Sequence, residues 1–182
     1  MPEEVLWASF FKADVALAHL WPKPQGDVVE LGCGFGTFTL AAARLTKGIV
    51  TALDIDPEMI ATVKAKAEAL GLSNVRVLEH DFVAGDLGVA PHSQAHVMIY
   101  NLLHMEEPVQ LLRKAYNALE AEGTVSVMHW RSDVPTPRGP PMDIRPTAEQ
   151  CAEWLAEAGF AQVEHVNLGD SCPFHYGLIA RR

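Results

Sequence analysis

The sequence predicts an α/β protein built on an open, mostly parallel seven-stranded sheet with helices on both faces. Three observations predict it. Short apolar runs alternate five times with longer amphipathic stretches, the pattern by which parallel strands are joined through crossover helices. A glycine-rich turn, Gly32-Cys33-Gly34-Phe35-Gly36, stands between the first strand and the first crossover helix. The unusual polar residues Glu30, Asp54, Asp81, Asn101 and His129 all fall at the carboxyl ends of predicted strands, the edge where open sheets bind ligands.

Each element follows from local chemistry. Residues 3–21 have helical periodicity with a break near Lys12-Ala13, and Pro22 and Pro24 end it. Leu6, Trp7, Phe10 and Phe11 form an apolar face that either packs on the core edge or covers a ligand site as a lid. Val28–Leu31 is the first strand and Thr37–Leu45 the first crossover helix, ended by Lys47-Gly48. Ile49–Leu53 carries β-branched residues and reads as the second buried strand. Asp56 caps the next helix, Pro57 occupies its first position, and Ile60, Val63, Ala67 and Leu70 face inward before Gly71. Val75–Leu78 is the third strand, residues 83–94 a loop, and Val97–Tyr100 the fourth strand. Pro108 opens a helix with Leu112, Ala115, Tyr116 and Leu119 on one side, and Thr124–Met128 is the fifth strand. Residues 131–146 hold five prolines, one glycine and three arginines, an irregular stretch of the kind that is usually functional or mobile. Thr147 and Gln150 form a capping box for a helix presenting Cys151, Trp154, Leu155 and Ala158. Residues 161–168 and 175–180 are two final strands, with Gly169-Asp170 between them.

The 182 residues suit one domain, 1–182, with an N-terminal helical segment over 1–24 and the proline- and arginine-rich loop 131–146 over the site. A net charge of −9 disfavours nucleic acid and anionic membrane as partners, both of which need a basic footprint. Three cysteines without a C-x-x-C pair, an acidic start and the lack of a long apolar run point to a reduced, cytoplasmic setting with no signal peptide or membrane span.

The chemistry concentrates at the strand ends. Glycines at 32, 34 and 36 let a ligand lie against bare backbone at the mouth of a helix. Glu30 is a carboxylate at the end of an apolar strand and needs a partner, either a lysine or arginine of the protein or a ligand cation. The spacing Gly32-x-Gly34-x-Gly36 does not fit the G-x-G-x-x-G dinucleotide fingerprint, and Glu30 would repel a diphosphate. This opposes a nicotinamide-dependent oxidoreductase and favours a ligand with a cationic portion and no phosphates. Asp54 is placed to accept from two ribose hydroxyls, or to cap a helix. Asp81 is placed to accept from an adenine amino group beside the apolar walls Ile55 and Phe82, or to hold a turn. His104-x-Glu106 has no third ligand, so no metal site is expected.

Glu30-Leu-Gly-Cys-Gly-Phe-Gly36, Leu53-Asp-Ile-Asp-Pro57, His80-Asp-Phe82 and Asn101-Leu-Leu-His104 together resemble the class I S-adenosylmethionine-dependent methyltransferases over about residues 25–130. The fourth-strand region is similar to the small-molecule branch that contains the quinone-biosynthesis C-methyltransferases. The resemblance implies a three-layer Rossmann-like sheet with an antiparallel terminal strand. It implies Glu30 near the methionine amino group, Gly32, Gly34 and Gly36 under methionine and ribose, Asp54 on the ribose, Asp81 with Phe82 at the adenine, and the Asn101 backbone along the donor pocket. S-adenosylhomocysteine would be the product. The activity implied is in-line methyl transfer to a small metabolite. A module that binds the donor without chemistry is the alternative. His104 and His129 follow strands at the ligand edge and are either bases or structural histidines. Arg131, Arg138 and Arg145 either clamp an anionic substrate or tie the loop to acids.

Overall fold

A computed structural model describes residues 4–182. Helices α1 (Glu4–Ala8) and α2 (Ala13–Leu20) precede strand β1 (Val28–Leu31). Then follow α3 (Thr37–Leu45), β2 (Val50–Asp54), α4 (Pro57–Ala69), β3 (Val75–Glu79) and β4 (Gln94–Tyr100). The chain finishes with α5 (Pro108–Ala118), β5 (Leu119–Trp130), α6 (Ala148–Glu157), β6 (Ala161–Val166) and β7 (His175–Arg181). The seven strands form one sheet in the order β3-β2-β1-β4-β5-β7-β6. Strands β1 to β5 pair in parallel, and β7 runs antiparallel to both β5 and β6. Strand order reverses at β1 and β4, which places the topological switch beside the glycine turn.

The two-residue period of the strands sorts side chains onto two faces. Val29, Leu31, Val97, Ile99, Val125 and Val127 join Leu111, Leu112 and Leu155 of α5 and α6 in one core. Val28, Met98, Tyr100, Met128 and Trp130 face the other way, into an aromatic core with Phe10, Phe11, Trp21 and Phe38. Glu30 shares the parity of Val28 and so lies under α3; Asp54 lies on the same side through Val50 and Ala52.

A buried polar chain crosses the aromatic core. His96 bonds Thr124 Oγ1 through Nδ1 (2.7 Å) and Ser126 Oγ through Nε2 (2.8 Å), and Ser126 Oγ meets the Tyr100 hydroxyl at 2.8 Å. Trp21 stacks on the His96 ring at 5.0 Å. Satisfied in this way, the polar atoms escape the cost of burial without a partner.

The predicted break in the N-terminal helix falls at residues 9–12, between α1 and α2. The Asp56 side chain accepts from the Glu58 amide at 2.8 Å, and both bonds of the Thr147–Gln150 capping box form. Leu70 departs from expectation, being 56% exposed. The chain turns left-handed at Gly71, whose amide bonds Glu68 O, while Leu72 N returns to Ala67 O. That C-terminal motif sends Leu72, not Leu70, against the core.

His96, His129 and His175 are buried, and burial pushes them down to about 3, 4 and 3, from 6.5. They fold uncharged, while the unfolded chain takes up protons below about pH 6.5. Each therefore contributes stability above that pH that is lost as pH falls through the folded values. Glu30, raised from 4.5 to about 8, acts in the opposite sense between those two values, one group against three. We expect the thermal midpoint to fall steadily from pH 6.5 to pH 4 in scanning calorimetry; a flat profile would contradict the buried neutral histidines.

Candidate functional site

A cleft of about 290 Å³ opens at the carboxyl ends of β1 to β4. Of the residues expected there, Glu30, Gly32, Gly34, Asp54, Ile55, Asp81, Phe82 and Asn101 line it. Trp7, Thr37, Phe38, His80 and Tyr100 line it as well. Tyr100 is the last residue of β4 and shares the face of Glu30, a signal that strand parity carries. His80 carried no such mark; its Nε2 meets Asp86 O at 2.8 Å across the loop.

The glycine turn is shaped by contact as well as by torsion. Gly32 has φ +70°, and a Cβ there would sit 3.1 Å from Leu102 in the cleft wall. Gly36 departs from expectation. It has φ +78° at the start of α3, and a Cβ would press on Val63 of α4 at 3.0 Å. Its absent side chain serves turn and helix packing, and it is not among the cleft-lining residues.

Asp54 organises the turn. Its Oδ2 accepts from the Gly34 amide at 2.8 Å and its Oδ1 from the Asp56 amide at 3.1 Å. One carboxylate thus ties the end of β2 to the glycine turn and to the start of α4. Asp81 holds its own turn, with Oδ1 accepting from Val83 N (3.0 Å) and Ala84 N (2.9 Å). Phe82 is buried beside it, while Ile55 is 63% exposed at the rim.

Glu30 is 3% exposed, and its carboxyl accepts a bond from the Thr39 hydroxyl of α3. Among the described residues no cation pairs with it. Burial pushes it up to about 8, and the nearby Asp54 carboxylate adds to the shift. The same surroundings raise the Cys33 thiol, through burial first and then Glu30 and Asp54, so Cys33 is a neutral filler of the turn. Asn101 adopts φ +59°, donates its amide to Met128 O at 2.7 Å, and has a buried Oδ1 that finds no partner among the described residues.

His104 and His129 lie farther along the same edge, at the ends of β4 and β5, outside the cleft lining. Their rings meet through Nδ1 of His104 and Nε2 of His129 at 3.1 Å. The arginines divide. Arg145 is a correction to the clamp expected from sequence. It is buried, and its guanidinium donates to Pro140 O (2.8 Å), Arg131 O (2.9 Å), Thr136 Oγ1 (2.7 Å) and Arg138 O (3.3 Å), with Trp130 beneath it. Four of its five N–H donors hold the 131–145 loop, so its main task is to shape that loop. Arg131 forks onto Asp133 at 2.9 and 2.7 Å. Arg138 is exposed.

Residues 28–123 match the family model described as a methyltransferase domain, more than half of the chain. The chain belongs to the methyltransferase-domain family. The donor in this family is S-adenosylmethionine. The chain is 39% identical over 62 residues to ribosomal protein L11 methyltransferase of Dechloromonas aromatica, which covers 34% of this chain and 21% of that protein. It therefore spans about a fifth of the length of that curated relative. Among solved structures, a SAM-dependent methyltransferase from Aquifex aeolicus superposes with a TM-score of 0.80 at 21% identity, covering 94% of this chain and 90% of that one. An S-adenosylmethionine-dependent methyltransferase from Mesorhizobium loti gives 0.73 at 21% identity over 92% and 96%. At such identity these two establish the shared fold of the methyltransferase domain, including its antiparallel β7.

Two substitutions check these assignments. We expect Asp54→Ala, which cuts both turn-holding bonds, to weaken S-adenosylhomocysteine binding by about tenfold or more in calorimetric titration; unchanged affinity would remove Asp54 from the site. Arg145→Ala should destabilise the domain by about 2–4 kcal/mol in denaturant unfolding and open residues 131–146 to limited proteolysis.

Proposed function

We propose that the protein is an S-adenosylmethionine-dependent methyltransferase acting on a small molecule. The observation that carries this is Glu30: a buried carboxyl that no cation among the described residues meets, next to a second carboxylate, in a cleft floored by bare backbone. Such a group calls for a positively charged ligand and rejects a diphosphate. S-adenosylmethionine fits on three counts. Its ammonium and sulfonium charges answer Glu30 and Asp54. The surface of Gly32 is free of a side chain where its tail would lie. Asp54 and the Asp81–Phe82 corner offer acceptors and an apolar wall for ribose and adenine.

When bound, S-adenosylmethionine supplies a methyl carbon already activated by a sulfonium. The chain's own task is alignment and exclusion of water. Trp7, Phe38 and Tyr100 supply apolar walls, and Asn101 fixes the backbone at the end of β4. We assign α1 as a lid. Its Trp7 reaches the cleft, it contributes no fully buried residue, and Lys66 holds it through Glu4 while donating to Phe35 O at 2.9 Å. A small acceptor suits a cleft bounded by this helix, and a net charge of −9 suits nucleic acid poorly. With Arg145 engaged by its loop and Arg131 forked onto Asp133, the exposed Arg138 is the arginine of that loop best placed to meet an anionic acceptor. No helix among the described residues is long and apolar enough to cross a membrane.

Calorimetric titration tests the reading. S-adenosylmethionine and S-adenosylhomocysteine should bind and NAD should not; the reverse would overturn it. Glu30, raised to about 8 in the free protein, must ionise to meet a cation. Binding of the sulfonium ligand should therefore tighten as pH rises from 6.5 to 8.5 and release a proton, seen as a dependence of binding heat on buffer ionisation enthalpy. Glu30→Gln should abolish that release beyond whatever the ligand's own amine contributes, measured in parallel.

A further inference from the structure

The two histidines beyond the cleft are joined in a way that fixes where their protons sit. His129 Nδ1 lies 3.1 Å from the Trp130 carbonyl oxygen, which can only accept, so Nδ1 carries the hydrogen. His129 is fully buried and neutral, so its Nε2 is left bare. His104 Nδ1, 3.1 Å from that bare nitrogen, must then donate to it. A neutral His104 has one ring hydrogen, now committed inward. Its Nε2 is therefore a free lone pair, and it takes no bond from the described residues. An isolated imidazole favours no such arrangement strongly; here a backbone carbonyl dictates it through two rings.

The groups facing the pair keep it neutral. Burial lowers His104, and the Arg145 guanidinium lowers it further. His129 is lowered to about 4 by burial, with His104 and Arg145 adding to the effect against its bond to Trp130. His175, across the β5–β7 pairing and itself lowered to about 3, and Tyr176, stacked near His129 at 6.2 Å and raised by burial, bring no charge at neutral pH. His104 lies three residues after Asn101 on the turn that continues the cleft wall through Leu102. Glu30, Asp54 and Asp81 hold the β1, β2 and β3 side of the edge, and the histidine pair stands at the β4–β5 side.

We propose that His104 Nε2 accepts the proton of the methyl acceptor, that His129 is a positioning residue fixing its tautomer, and that the acceptor is an acidic hydroxyl, phenolic or enolic. This rests on the methyltransferase reading. Acceptors such as tertiary amines and thioethers lose no proton and need no such group. A carbon acid without activation lies too far above an imidazole in acidity for it to help, whereas a phenol lies within reach once transfer is concerted with alkylation. The step balances. The hydroxyl proton passes to His104 Nε2 as the oxygen forms its bond to the methyl carbon. The carbon–sulfur bond breaks with its electron pair staying on sulfur. The positive charge lost by the sulfonium appears on the His104 imidazolium, which returns the proton to water.

The tautomers are read directly by long-range 1H–15N spectra of the imidazoles in the ligand-free protein at pH 7.5, assigned with His104→Gln and His129→Phe. Both rings should be in the Nδ1–H form, and His129→Phe should move His104 to the Nε2–H form. A wild-type His104 in the Nε2–H form overturns the proposal whatever the protein catalyses. Turnover of S-adenosylmethionine with catechol and 4-nitrophenol as probes should fall about 100-fold in kcat in His104→Gln, with S-adenosylhomocysteine affinity unchanged. It should also fall in wild type as pH drops through the His104 pKa. Equal turnover in the variant, or methylation confined to a tertiary-amine or thioether probe, overturns it. Absence of S-adenosylhomocysteine binding would instead strike the methyltransferase reading itself, and the reaction role with it, while the tautomers would still be read.

Discussion

A carboxyl group buried at the end of a central parallel strand, with a threonine hydroxyl as its partner, is the constraint around which the rest of this cleft is arranged. Glu30 is there because strand parity turns it under α3, where Thr39 meets it. Ionising it in place means creating a charge in low dielectric a short distance from Asp54, and that cost raises its pKa. The free protein meets the cost by holding Glu30 neutral. A ligand cation would meet it another way, and among the described residues no cation competes for the position.

Asp54 complements this. Where Glu30 has no charge partner among the described residues, Asp54 is tied by two backbone amides and in turn fixes the glycine turn and the first turn of α4. Two carboxyl groups on one face thus differ in their ties: one is sealed against a hydroxyl, the other engaged by two amides. On the far side of the switch point, Arg145 plays the shaping part for the 131–145 loop. A guanidinium has five donors in a rigid fork, and three carbonyls and a hydroxyl of the loop engage four of them.

Much of the fold was legible because local rules and tertiary packing agree. Val28–Leu31 and Thr37–Leu45 match the predicted limits, since the glycine turn punctuates both. The Asp56-Pro57 start and the Thr147–Gln150 box are side-chain chemistry that the sequence states outright. Strand ends were less legible. β5 begins at Leu119, ahead of the predicted Thr124, because its first residues pair with β4 around an irregularity between Gln94 and His96. Leu70 was misplaced because periodicity continues past the point where Gly71 reverses the chain.

The sequence by itself determined the order of strands and helices, the glycine turn, and which polar residues stand at strand ends, because periodicity and turn chemistry act over a few residues. Only the tertiary structure decided what those residues do there. That Gly36 yields to Val63 and that His104 meets His129 are contacts between segments far apart in the chain, and that Arg145 faces four acceptors of its own loop depends on how that irregular loop folds back on itself. No local pattern encodes the distance between two such side chains; the packing of the sheet edge sets it.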